Sequence, residues 1–184
     1  MNRRLVLNNL SIRPATPKDI DVLVRFSASM AWETERRRLD RRRLRRGTQA
    51  VLRKPARGFY LVAELPQRSP ASVIGQLLIT FEWSDWRNAT FWWIQSVYVD
   101  SAWRRRGIYR RMHEAVLKLA RKRGDVCGVR LYVEGENAVA KTVYAKVGLD
   151  ASSYRVFEND FVLSGKRLQA SPDAAGMPKR RREA

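Results

Sequence analysis

The stretch from residue 94 to residue 148 constrains this chain more than any other part of it. An apolar strand pattern, Ile94–Val99, runs through a short connection into Arg104-Arg105-Arg106-Gly107-Ile108-Tyr109, and a helix-periodic segment opens near Gly107. That order builds an anion pocket. The first N–H groups of a helix have no carbonyl behind them, the helix dipole adds partial positive charge, and a glycine leaves the backbone open to approach, which together suit a diphosphate. The arginines add charge of the same sign. Plain strand-to-helix connections also use glycine and arginine, so the turn by itself is balanced between a phosphate site and an ordinary junction.

The residues that follow tip that balance. Leu131-Tyr-Val-Glu-Gly-Glu-Asn137 reads as a strand that stops at a polar corner. Ala138–Lys146 then reads as a helix with Ala140, Val143, Tyr144 and Val147 on one stripe, closing at Gly148. On these residues the chain resembles the GNAT family of N-acetyltransferases. Its members carry Arg or Gln, two residues, Gly, one residue, then Gly or Ala at a pyrophosphate-binding turn, and later an Asn followed by a Tyr on the next helix. Arg104 and Gly107 match the first pattern, and Asn137, Ala140, Tyr144 and Gly148-Leu149 match the second. Tyr109 is a departure, since relatives have a small residue there.

Size and composition agree with one small enzyme domain. The chain has 184 residues, 45% of them hydrophobic, enough for one core and too few for a second full domain. We expect a single domain over residues 1–168 and a flexible basic tail over 169–184, where Ser, Pro, Ala and Gly replace any apolar periodicity. Cys127 is the one cysteine, so an intrachain disulfide or a cysteine metal cluster is excluded. The lone histidine, His113, has no second histidine to join it in binding a metal, and we expect none. The N-terminal Leu5-Val6-Leu7 run is far short of a signal core or a membrane span, so a soluble, cytoplasmic protein is expected, monomeric or homodimeric.

Thirty-seven Lys and Arg against eighteen Asp and Glu give a net charge of +19. Charge of that size draws polyanions. Eight arginines fall in Arg36–Arg46, five in Arg104–Arg111, and four basic residues in Lys118–Arg123. A ligand such as coenzyme A uses part of that field and leaves most of it. Solvated helix faces account for the remainder more simply than nucleic acid does, although weak contact with RNA or a ribosome stays open.

Further elements are expected along the chain. Leu10–Arg13 reads as a strand; Thr16 caps a helix with Pro17 at its first position, running to about Trp32. A second helix, rich in arginine, runs from Asp40 to the Pro55–Gly58 break. Phe59–Glu64 and Val73–Phe81 form a hairpin across Pro66–Pro70, and Phe91–Val99 and Val129–Glu134 are the fourth and fifth strands. Tyr154–Phe157 and Asp160–Leu163 read as closing strands.

The resemblance implies an α/β fold with a mixed, mostly antiparallel sheet of six to seven strands, splayed between the fourth and fifth, and flanked by about four helices. It implies acetyl-CoA or coenzyme A as the cofactor, bound by backbone of Val97, Tyr98 and Val99, by the turn Arg104, Arg105, Arg106, Gly107, Ile108 and Tyr109, and by Asn137 and Tyr144. It implies an acetyltransferase in which a primary amine attacks the thioester and Tyr144 returns a proton to the thiolate. Tyr144 follows Asn137 by seven residues, two helical turns, which carries its hydroxyl along the same face.

The general base is open. The stretch Trp92-Trp93-Ile94-Gln95 has no carboxylate where several relatives carry one, which leaves Glu82, Glu134 and Glu33, or a water relay. Glu82 is preferred because the neighbouring Trp83 indole supplies an apolar surface that raises a carboxyl pKa. Trp32, Glu33 and Trp93 offer aromatic and acidic surface for a cationic amine. The acceptor, a small amine or an amine on a protein, is not readable. An RNA- or ribosome-associated protein that keeps the fold, or an acetyltransferase acting on a ribosomal or other protein, are the alternatives.

Overall fold

The computed structural model describes residues 9–66 and 72–163. The expected tail 169–184 and most of the Pro66–Pro70 connection lie outside the described residues. The chain divides into two compact units at Ala151/Ser152.

In the first unit, strand β1 (Ser11–Pro14) leads to a single 3-10 turn and helix α1 (Ile20–Glu35). Asp19 sets the entry of α1: its carboxylate accepts the Thr16 N–H at 2.7 Å and both amino groups of Arg13, at 2.8 and 3.0 Å. Arg13 also bridges to Glu64 at 2.6 Å, so one guanidinium ties the start of α1 to two strands. Helix α2 (Arg41–Arg53) begins where sequence reasoning places it, because Asp40 accepts the Arg42 and Arg43 N–H groups at 2.8 and 3.1 Å. It buries only Thr48, and its arginines are exposed.

Strands β2 (Phe59–Leu65), β3 (Ser72–Ser84) and β4 (Ala89–Val99) continue the sheet, followed by α3 (Ile108–Arg121), β5 (Val126–Arg130) and α4 (Ala138–Lys146). The sheet order is β1-β2-β3-β4-β5, with antiparallel pairing up to β4 and a parallel β4–β5 pair. Alternation divides the core. Leu61, Ala63, Leu77, Ile79, Trp92 and Ile94 pack against Ile108, Met112 and Val116 of α3, while Tyr60, Val62 and Leu78 pack with Leu23 of α1. Leu23, Leu61 and Leu77 are fully buried, each contributing roughly 2 kcal/mol.

The β4–β5 pairing runs only from Thr90↔Val126 to Trp93↔Arg130. The pairing stops where β5 stops, at Arg130, and β4 runs on to Val99 with no strand beside that edge among the described residues. Three expectations are corrected. The fifth strand ends at Arg130 and does not reach Glu134, whose carboxylate instead accepts the Glu136 N–H at 2.8 Å and turns the chain. The sheet has five strands rather than six or seven among the described residues. In the second unit, Tyr154–Phe157 and Asp160–Leu163 form no strand. Asp160 accepts the N–H groups of Val162 and Leu163 at 2.7 and 2.8 Å, a local turn that competes with extended pairing.

Candidate active site

The turn before α3 is built from unusual backbone. Asp100 caps a short 3-10 turn by accepting the Ala102 N–H at 3.0 Å, and the chain then passes Arg105 at φ 60° and Gly107 at φ 74°. Gly107 is the N-cap of α3, and no side chain caps that end. A Cβ on Gly107 has only the Arg110 guanidinium within reach, at 4.0 Å, so the demand for glycine is conformational and the space in front of the turn stays open. The first-turn N–H groups of Ile108, Tyr109 and Arg110 have no carbonyl within the helix to bond.

The free edge of β4 leads to that turn. Asp100 donates its N–H to Ile74 of β3, whereas the Val99 carbonyl accepts Arg104 Nε at 2.8 Å on the opposite side. Edges alternate residue by residue along a regular strand, so Val99 turns its peptide group away from β3 and Tyr98 presents its own to β3, while Val97 lies in a bulge where that alternation breaks. The Tyr98 side chain serves differently: its hydroxyl donates to Glu33 at 2.9 Å, and its ring lies 5.0 Å from Phe26. Arg104 completes the cluster, reaching the other Glu33 oxygen at 2.6 Å with its guanidinium over the Tyr98 ring. Arg106 stacks on Trp103, centroid distance 5.3 Å.

A bulge in β4 escaped sequence reasoning. Gln76 pairs with Tyr98 but Leu78 with Gln95, so two residues of β4, Ser96 and Val97, oppose one of β3. Ser96 takes φ 49°. Gln76, fully buried, holds the bulge by donating to the Ser96 carbonyl at 3.3 Å and to Ser27 of α1 at 2.9 Å. The signal for it was a lone amide inside the apolar run Val73–Ile79.

Asn137 caps α4 with its carboxamide oxygen, 3.0 Å from the Ala140 N–H, which leaves its amino group for a ligand carbonyl. Tyr144 lies edge-on to Tyr109 at 5.5 Å, so the helix that carries Tyr144 meets the first turn of α3. The Tyr109 ring is turned into this contact and toward His113, at 5.9 Å, and its buried hydroxyl has no partner. Burial pushes both phenols up from their ordinary pKa, Tyr109 the more strongly, so both are protonated at neutral pH.

The carboxylates expected as bases are engaged. Glu82 does not sit in the apolar pocket expected beside Trp83, which is 63% exposed. It accepts Trp93 Nε1 at 2.6 Å and Arg130 at 2.8 Å, while Arg130 lies over the Phe91 ring at 3.5 Å. Glu134 is bound into its turn and Glu33 into the Arg104–Tyr98 cluster. Trp32 is exposed, with Arg36 and Arg38 over its ring at 5.7 and 5.4 Å. Among the described residues there is no cluster of three His, Cys, Asp or Glu side chains, and no helix is long and apolar enough to cross a membrane.

A model of the acetyltransferase (GNAT) family matches residues 19–149. No curated protein matches the chain. Among solved structures, a possible acetyltransferase from Clostridium difficile 630 is 37% identical, with a TM-score of 0.76 over 83% of this chain and 98% of its own. A predicted acetyltransferase from Clostridium acetobutylicum, solved with acetyl-CoA, is 19% identical, TM-score 0.67, covering 82% of this chain and 96% of its own. An aminoglycoside acetyltransferase from an uncultured soil metagenomic sample, bound to sisomicin, is 16% identical, TM-score 0.66, over 85% and 99%. The last two are alike in fold alone.

Proposed function

The chain belongs to the acetyltransferase (GNAT) family, and on that premise we propose that it transfers an acetyl group from acetyl-CoA to a primary amine by direct attack. The observation that carries this reading is the convergence of three features. The β4 edge at Val97 and Val99 beyond the last β5 pair, the uncapped N-terminal turn of α3 at Gly107 that follows it, and Tyr144 against Tyr109 in that turn are brought together.

Each feature fits one part of the cofactor. First-turn N–H groups with Arg105 and Arg106 suit the diphosphate, the Val99 N–H and the bulged backbone at Val97 suit the pantetheine amides, and the Asn137 amino group suits a further carbonyl. Acetyl-CoA supplies the thioester on which the amine acts. The β4 bulge turns strand peptide groups away from the ladder, where they serve as donors to negative charge developing on the carbonyl oxygen. Tyr144, kept protonated by burial, holds the proton for the departing thiolate. We assign the base role to Glu82 through a water, because both of its oxygens are engaged directly.

Calorimetric titration with coenzyme A and acetyl-CoA tests the reading. Saturable binding that disappears in Gly107→Glu is expected, since that change adds strain and negative charge at the phosphate turn. Tyr144→Phe then lowers kcat by about 100-fold while leaving coenzyme A affinity in place. A native chain that binds neither ligand overturns the proposal, and an unaltered kcat in Tyr144→Phe removes that residue from it.

A further inference from the structure

The arginine run that links α1 to α2 and fills the first turns of α2 has no part in the chemistry above. Eight arginines against Asp40 leave seven positive charges within Arg36–Arg46. Three of these arginines, Arg37, Arg38 and Arg41, line a cavity of about 470 Å³ together with Ser29, Trp32 and Leu39. That volume suits a small molecule.

Of the three arginines on this cavity, Arg37 pairs with Glu35, while Arg38 and Arg41 form no ion pair among the described residues. Asp40 is committed to the α2 cap, Glu35 pairs with Arg37 at 3.7 Å, and Glu33 is held by Arg104 and Tyr98. The Trp32 face, which sequence reasoning offers to a cationic amine, already carries the guanidinium groups of Arg36 and Arg38. A cation entering here meets like charge and an occupied ring. The cavity also adjoins the cofactor strand, because Ser29 on its wall interacts with the Tyr98 hydroxyl, and Tyr98 lies between Val97 and Val99.

We infer that this cavity is the anion subsite for the acceptor: the amine to be acetylated is carried by a small molecule that also bears a phosphate or carboxylate, which Arg38 and Arg41 hold. The inference rests on the acetyltransferase reading for its amine and on the cavity alone for its anion. The acceptor's anionic group anchors beside α2 while its amine extends past Ser29 toward the β4 edge. Polycationic amines are rejected by the same field.

The test titrates O-phosphoethanolamine, β-alanine and ethanolamine into the coenzyme A-saturated protein, whose phosphate turn is then filled. O-phosphoethanolamine or β-alanine binds saturably and ethanolamine does not; which of the two anions binds tighter separates a phosphate from a carboxylate acceptor. Arg38→Gln with Arg41→Gln, both on exposed side chains, weakens binding about tenfold or more. Arg121→Gln with Lys122→Gln, an equal loss of charge at the far end of α3, changes it by about twofold at most. Ethanolamine binding as tightly as the anions overturns the inference, as does equal weakening in the two double variants or binding of a short RNA that O-phosphoethanolamine does not displace. Absence of coenzyme A binding overturns the acetyltransferase reading instead, and the anion titration repeated on Gly107→Glu still reads the cavity.

Discussion

His113 shows how burial changes the meaning of a single side chain. It faces the core from α3, is 2% exposed, and its Nε2 has no hydrogen-bond partner. Burial lowers its pKa from the usual 6.5, with Glu114 opposing weakly, so the folded chain holds the neutral ring and the unfolded chain takes up the proton more readily. Stability contributed in this way is present above about pH 6.5 and falls as pH drops below it, because the unfolded state then binds more protons. Thermal melts from about pH 7.5 to about pH 5.5 should show a falling Tm for the native chain and a shallower fall for His113→Leu. Asp19, whose pKa lies below 3.8 through its bonds to Arg13 and Thr16 despite the opposing effect of burial, acts only at more acid pH, so the two windows separate. An unchanged slope in His113→Leu would contradict the assignment. Spacing in the sequence showed only that His113 lacks a second histidine; its role as a buried neutral ring depends on which face of α3 meets the sheet.

At the scale of elements, the β4 bulge is the feature that most needs tertiary support. A serine in the left-handed region costs roughly 1 kcal/mol, and Gln76 offsets this by holding the Ser96 carbonyl and Ser27 together in the core. Gln76→Leu should therefore destabilise the chain by about 1–3 kcal/mol, read from denaturant midpoints, and raise the KM for acetyl-CoA as the bulge loses its anchor. A stability loss with KM unchanged would make Gln76 a packing residue only. The helices were more legible than this. Thr16 and Asp40 announced the starts of the first two helical stretches because capping is a local interaction among residues two or three apart. Tyr154–Phe157 and Asp160–Leu163 misled for the same reason reversed: their apolar alternation suggests strands, while the Asp160 side chain captures the backbone two and three residues on.

For the whole molecule the net charge of +19 governs encounters with polyanions. A field of this kind attracts RNA without reading it, so retention on RNA should fall by about 10³-fold or more from about 50 to about 200 mM salt, while coenzyme A binding at the proposed turn and strand edge, which involves fewer phosphates, should weaken far less. RNA retention that survives the higher salt would instead favour a dedicated nucleic-acid role.

Local sequence was enough for the order of elements as far as α4, the helix starts, the glycine turn and the seven-residue spacing of Asn137 and Tyr144, because each depends on residues close together in the chain. Only the tertiary arrangement made β5 pair with β4 no further than Trp93, Ser96 bulge under Gln76, Glu82 pair with Arg130, and Tyr109 turn toward Tyr144. Those outcomes arise between residues far apart in sequence, whose contacts depend on register and on which face each element buries, and no local spacing encodes them.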